Sequence, residues 1–363
     1  MRYWTHIRPR LLGLMAGGIA LLGGCSTAPP RELPVDPDVA RAQIRARIPP
    51  AVANRDAWAI DMFAAFEALE LRLTPRNICA VVAVIQQESG FQVDPVVPGL
   101  PAMARREIDE RASRYHIPGA LVDLALKVRS SDGRSYAERL RQAKTELALS
   151  EMFEDFIGAV PLGRQLFADL NPVRTGGPMQ VSIAFAEARV KSTNYPYPLD
   201  GGVRREVFTR RGGLYFGIAH LLDYPVSYDS MLYRFADFNA GHYASRNAAF
   251  QQAVTVLSNT RLEIDGDLLR EGSSEPSQTE LAVRKLGLGL GERQIRRDLE
   301  RGTEHGFEET YVYRKVFELA DARALAPRAL VPRIQLQSVK ISRKLTTEWY
   351  AGRVDDRYRR CLQ

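Results

Sequence analysis

Glu88 is the residue in this chain best placed to move a proton. It closes the stretch 74–88 and is followed by Ser89-Gly90-Phe91. Thr74 and Pro75 read as a helix start: a hydroxyl to cap free N–H groups, then a residue with no N–H to satisfy. Ile78, Val81, Val82 and Ile85 then recur at helical spacing, so one face is apolar and buried. At about 100° per residue, Glu88 lies roughly 20° round from Val81, on that same face. A carboxylate placed there loses water, which disfavours its charged form and raises its pKa. Gly90 lets the chain leave the helix. A protonated acid at a helix end is what a general acid requires. The bland alternative is a carboxylate that reaches solvent or pairs with an arginine.

The elements that must position Glu88 are helical. Trp58, Met62, Phe63, Phe66 and Leu69 give 56–71 an amphipathic pattern just before the Glu88 helix. After a loop at 95–101, helices are predicted near 102–115, 119–128, 135–156, 162–170, 181–191 and 244–257, with apolar runs at 214–222 and 231–238. The tail adds helices near 277–286, 292–300, 308–324 and 346–359, and an extended stretch near 331–341. No internal repeat and no run of alternating strands emerges. The fold class is mainly α.

Residues 1–24 read as an export signal. Arg2, Arg8 and Arg10 precede the apolar run 11–22, too short to span a bilayer as a finished helix. The run ends in Leu22-Gly23-Gly24-Cys25, which resembles the lipobox of bacterial lipoproteins. The resemblance implies cleavage before Cys25 and several acyl chains on that cysteine, a stable membrane anchor where one chain is marginal. Ser26, by similarity to Gram-negative lipoproteins, places the expected location at the periplasmic face of the outer membrane. An uncleaved apolar anchor is the alternative. Residues 25–53, rich in proline, follow as a lipid-attached tether with a short helix near 39–48. Loss of three arginines takes the formal charge from +7 to +4. That modest excess in a chain rich in both signs is a solvated surface, and no nucleic-acid partner is expected. A weakly basic face still suits an anionic cell-wall polymer.

Three separated stretches add to this reading: Glu88-Ser89-Gly90-Phe91, Gly177-Pro178-Met179-Gln180-Val181 and Phe238-Asn239-Ala240-Gly241. In this order they resemble the motifs of the soluble, goose-lysozyme-like lytic transglycosylases: Glu-Ser-x-Phe/Tyr, Gly-Leu-Met-Gln and Tyr-Asn-Ala-Gly. The resemblance spans about 70–257. It implies a lysozyme-like domain at 54–264, with a helical insertion at about 96–170, and leaves 265–363 as a helical C-terminal extension. It further implies cleavage of the MurNAc–GlcNAc bond of peptidoglycan glycan strands by one glutamate, Glu88, to give 1,6-anhydro products, with no cofactor. Ser89, Met179, Gln180, Phe238, Asn239, Gly241 and Tyr243 are the implied substrate-binding residues. Among them Met179 and Gln180 would line the sugar cleft, and Gly241 would allow close backbone approach.

Departures from the family pattern sharpen the expectations. Phe238 replaces the family tyrosine, so a hydroxyl near the acid must come from elsewhere, with Tyr233 or Tyr243 as candidates. The long link between Glu88 and Gly177 lacks the usual serine; Asn171 or Thr175 could stand in. The insertion, with apolar residues such as Leu121, Leu124 and Phe153, is expected to wall or cover the cleft. Its rival is a non-catalytic, lipid-anchored glycan binder or scaffold on the same fold. His6, His116, His220, His242 and His305 show no metal-ligand spacing and no Gly-x-Ser-x-Gly elbow occurs, so no metal is expected. His242 reads as a surface residue. Once Cys25 is lipidated, Cys79 and Cys361 form an even pair in an oxidising compartment, which permits one disulfide. Two free thiols, with Cys79 a small buried hydrophobe, remain the alternative.

Overall fold

Hydroxyl side chains set many of the helix starts. Thr74, Thr145, Thr209, Thr310 and Thr346 each accept a hydrogen bond from the backbone N–H three residues on. Each thereby satisfies a donor that helix geometry leaves unpaired. The computed structural model describes residues 36–159, 171–324, 326–335 and 345–363, and among them the protein is mainly helical. The export signal, Cys25 and the predicted helix at 162–170 lie outside the described residues, as does most of the extended stretch at 331–341.

The chain opens with α1 (Pro37–Arg47), α2 (Arg55–Ala68) and α3 (Pro75–Glu88). The insertion supplies α4 (Leu100–Arg114), α5 (Gly119–Lys127), α6 (Tyr136–Gln142) and α7 (Glu146–Gly158). A small antiparallel hairpin, β1 (Thr175–Gly176) and β2 (Val181–Ser182), pairs Thr175 with Ser182 and Gly176 with Val181. Then come α8 (Ile183–Ser192), α9 (Gly202–Val207), α10 (Arg210–Leu222), α11 (Met231–Ala240) and α12 (Ala244–Ser258). The tail holds α13 (Gln278–Lys285), α14 (Glu292–Glu300), α15 (Tyr311–Asp321) and α16 (Thr347–Leu362).

The predicted helix 135–156 is two helices. Thr145 caps α7, and the Val97 N–H bonds the Lys144 carbonyl at 2.9 Å, so the intervening backbone is spent on the loop after α3. The tether is shorter than expected, because α1 is folded and buries Ala40 and Ile44, with Ile44 in the main core.

Helix α3 is the axis of that core. Every residue from 78 to 85 is buried, where the sequence pattern had given only one apolar face. Cys79, Ala80 and Ala83 are small enough to let neighbours close on the remaining sides, and a helix apolar all round belongs in an interior. One of those neighbours is α16, which lies along both α3 and α11. It buries Thr347, Tyr350, Ala351 and Val354, a stripe at helical spacing. A Cys79–Cys361 disulfide ties the far end of α16 to the start of α3.

The C-terminal extension therefore needs correcting. Part of it, α13 to α15 with one face of α12, has its own core around Phe250, Val254, Phe307 and Val316. The final helix leaves that core and completes the first, so 265–363 is not one appended piece. Residues Pro37–Gln363 form one compact unit.

The disulfide closes a loop of 282 residues. Chain-entropy reasoning assigns such a crosslink about 5–6 kcal/mol. Cys361→Ser is accordingly expected to lower the melting temperature by roughly 10 °C. Calorimetry of oxidised wild-type and variant protein checks this, and equal melting temperatures would count against it.

Candidate active site

Glu88 is the last residue of α3 and is partly exposed, although the helix behind it is dry. Gly90 and Phe91 both take left-handed backbone angles, with φ of +60° and +66°, and turn the chain sharply away from the carboxylate. The Phe91 ring meets Trp58 edge-on at 5.1 Å, which anchors the turn on α2.

Glu88 accepts a hydrogen bond at Oε1 from the hydroxyl of Tyr350, on α16. Tyr350 is only 5% exposed. Burial first, then the charge of Glu88, pushes its hydroxyl well above the ordinary tyrosine value, so it stays protonated and donates. One turn earlier on the same helix, Thr347 Oγ1 donates to Asn239 Oδ1 at 3.0 Å. A single face of α16 thus holds the acid of the first motif and the asparagine of the third.

Ser89 makes the other link. Its hydroxyl donates to the Pro178 carbonyl at 2.8 Å, joining the first motif to the turn of the β1–β2 hairpin. Within that hairpin Thr175 Oγ1 donates to Gln180 Oε1, and Gln180 Nε2 donates to the Gly177 carbonyl, both at 3.3 Å. Gly177 has φ +72°, and a Cβ there would sit 2.1 Å from the Val207 carbonyl oxygen, so the turn seats directly on the end of α9. Nearby in the chain, a side-chain oxygen of Gln87 and one of Asp94 are buried with no hydrogen-bond partner among the described residues. Such atoms are costly unless a water or ligand satisfies them.

Several expected roles change. Met179 is 0% exposed and packs where a Cβ on Gly217 would be, so it backs the hairpin from within the core and does not line a cleft. Gly241 meets nothing within 4 Å of an added Cβ; glycine is needed for its backbone, φ +110° and ψ 150°, and not for close approach. Tyr243 is buried under Arg246, 4.3 Å from the ring centroid, and edge-on to Tyr224. Tyr233 lies edge-on to Tyr228. The hydroxyl on the acid is that of Tyr350. Asn171 is fully buried and donates to Glu154 and Ser150 of α7, so Thr175 is the residue of the link that joins the second motif. Phe238 is buried against His220. Among the described residues, no three His, Cys, Asp or Glu side chains form a metal-binding group.

Residues 51–363 match the family model described as "Protein of unknown function (DUF1615)". The chain belongs to this family. It is 54% identical over 359 residues to "Uncharacterized protein YaiW" of Escherichia coli K12, covering 97% of each chain. No solved structure matches it. The DUF1615 match runs from before α2 to the end of α16, so Glu88 and Tyr350 fall within one matched unit.

Tyr350 is the site residue that sequence reasoning missed in this DUF1615 chain. Its signal was present: Thr347, Tyr350, Val354, Tyr358 and Cys361 recur three or four apart, ending in the half-cystine that pairs with the acid's own helix. No helix among the described residues is long and apolar enough to cross a membrane.

At the third motif runs a partly buried aromatic column. His242 is half-buried and not a free surface residue; its ring stacks between those of Tyr224 and His220, with centroids at 3.9 and 4.4 Å. Its Nε2 donates to the His220 carbonyl at 2.8 Å. Asp237, fully buried, accepts from Tyr224, Tyr228 and the Ser245 N–H and fixes the end of α11. Burial lowers His220 to about 3. The folded form therefore keeps this ring neutral while the unfolded form protonates near 6.5. The stability linked to it is complete above pH 6.5 and drains away as pH falls toward 3, by up to about 1.4 kcal/mol per unit. Burial raises Asp237, whose contribution runs the other way. Comparison with His220→Phe separates the two. The variant is expected to show a flatter fall of melting temperature between pH 7 and pH 5 than the wild type, and parallel curves would contradict the assignment.

Proposed function

We propose that this protein is a lytic transglycosylase of the bacterial cell wall. It cuts the MurNAc–GlcNAc bond of peptidoglycan with Glu88 as its one acid and base, on a lysozyme-like helical domain. The observation that carries the reading is the grip of buried Tyr350 on the Glu88 carboxylate, at the place where three separated motifs meet. A glycan binder gains nothing from an acid held at the end of a dry helix.

In the first step Glu88 gives its proton to the glycosidic oxygen. The C1–O bond breaks, the GlcNAc side leaves as an alcohol, and positive charge develops on the MurNAc ring. The C6 hydroxyl oxygen of that same ring then bonds to C1 while its proton passes to the Glu88 carboxylate. A 1,6-anhydro sugar forms, Glu88 is protonated again, and no water is consumed. One carboxyl group suffices where hydrolases use two.

Tyr350 positions the carboxyl group and supports its ionised form between the two steps. Gln180 and Asn239, the latter exposed, supply polar groups to the sugar. Through lipid on Cys25 the enzyme would work from the periplasmic face of the outer membrane. The test is release of soluble fragments from dye-labelled sacculi by the mature protein. Steady release is expected, and none across a wide range of protein concentration contradicts the proposal.

A further inference from the structure

Helix α5 is apolar on more sides than the protein buries. Its sequence, Gly119-Ala-Leu-Val-Asp-Leu-Ala-Leu-Lys127, holds two charges, yet only Val122 and Leu126 are buried. Leu121 and Leu124, one turn apart on another face, are 55% and 62% exposed. The turn before the helix adds Tyr115, 67% exposed, and Ile117, and the residue after the helix adds exposed Val128. A helix apolar nearly all round belongs in an interior, and on this side the fold supplies none. Large exposed apolar patches mark places where something else binds.

The stripe borders a groove of about 300 Å³ between α4, α5 and α7. Its floor and walls include Ile108, Ala112, Val122, Phe153 and Phe156. Glu107 and Arg111 are the only charged residues that line it, and they pair with each other at 2.5 Å. The apolar surface is therefore continuous from the exposed leucines into the groove.

Two observations indicate what covers this face. The first is charge. Between 105 and 129 the sequence has six arginines and lysines against four acids. Three of those acids are held in ion pairs: Glu107 with Arg111, and Asp109 and Asp123 with Arg105 at 2.9 and 2.7 Å. Arg114 precedes the exposed apolar run and Lys127 and Arg129 close it, so the greasy stripe has basic ends. Anionic phospholipid complements that pattern.

The second observation is the length of chain ahead of the fold. Helix α1 starts at Pro37, eleven residues beyond the cysteine of the lipobox-like motif, and a chain that long reaches at most about 40 Å. Lipid on Cys25 would hold the domain beside a bilayer at high effective concentration, where even a small apolar contact is occupied. A helix of nine residues cannot span that bilayer, but it can lie in its surface.

We propose that α5 and the turn before it dock into the surface of the phospholipid bilayer that carries the lipid anchor. The docked face gives the domain one orientation on the membrane, where a tether alone gives none. The inference rests on the anchor at Cys25 and is independent of the transglycosylase chemistry.

The test uses the mature chain from Cys25 to Gln363. With Cys79 and Cys361 joined, Cys25 is its one free thiol and couples to a maleimide headgroup lipid in phosphatidylethanolamine–phosphatidylglycerol vesicles. The probe is Leu124→Trp, read after subtracting the emission of the protein without it. The new indole is expected to shift to the blue on vesicles and to be quenched at least about twofold by lipids brominated along their acyl chains. Adding Leu121→Glu should abolish both effects while the melting temperature stays unchanged, since Leu121 is exposed. An indole that stays unquenched, or is quenched equally with Leu121→Glu, overturns the proposal. Sedimentation of the untethered protein should show a monomer; a dimer that Leu121→Glu dissolves would assign the face to a second copy and overturn it as well.

Discussion

Glu88→Gln is expected to abolish fragment release, by at least about 10³-fold, with little change in melting temperature. Glutamine keeps the shape and can still accept from Tyr350, so the junction of α3 and α16 is preserved. What it cannot do is give up a proton to the leaving oxygen or recover one from the C6 hydroxyl. In the proposed mechanism the same residue serves both steps. Substantial residual activity would remove Glu88 from its role. Undiminished glycan binding by a wild-type protein that cuts nothing would favour the scaffold reading.

Tyr350→Phe carries the second large effect and separates positioning from mere packing. The hydrogen bond that raises the tyrosine hydroxyl must, by linkage, favour the ionised form of its partner. Removing the hydroxyl leaves the ring in place and deprives the carboxylate of a donor. The first step needs protonated Glu88, so activity declines as pH rises through its titration. In the variant that declining limb should move to higher pH, while the maximal rate falls about 10²-fold. A packing defect would lower the rate and leave the limb where it was. Stability should drop only by about 1 kcal/mol, since one hydrogen bond is lost at a partly exposed carboxylate.

Local rules explain how far the sequence could be read. Thr74-Pro75 marks the start of α3 by capping chemistry alone, and Gly90 marks its end, so the helix bearing Glu88 is legible to the residue. The break between α6 and α7 was also written locally, in the Thr145 cap, but the apolar pattern runs through it and hides it. Met179 shows the limit of a motif: its identity matches a cleft residue, while Gly217 on α10, far along the chain, draws it into the core. Gly241 fits its motif for a conformational reason that no neighbour reveals. Tyr350 was hidden for a topological reason. It lies 262 residues from Glu88, and only the return of α16 between α3 and α11 brings the two together. An intervening second core, α12 to α15, makes the tail look like one appended lobe, and helical periodicity cannot tell which core a helix joins.

The central claim is that one glutamate, gripped by Tyr350, lets the sugar's own C6 hydroxyl close the reaction. End-group analysis by mass spectrometry of fragments from purified sacculi, digested by the mature protein, tests it most directly. The account predicts muropeptides ending in 1,6-anhydro-MurNAc, lighter than the corresponding reducing-end species by one water. Fragments with reducing ends would show that water, and not the C6 hydroxyl, captures the sugar, and would contradict it.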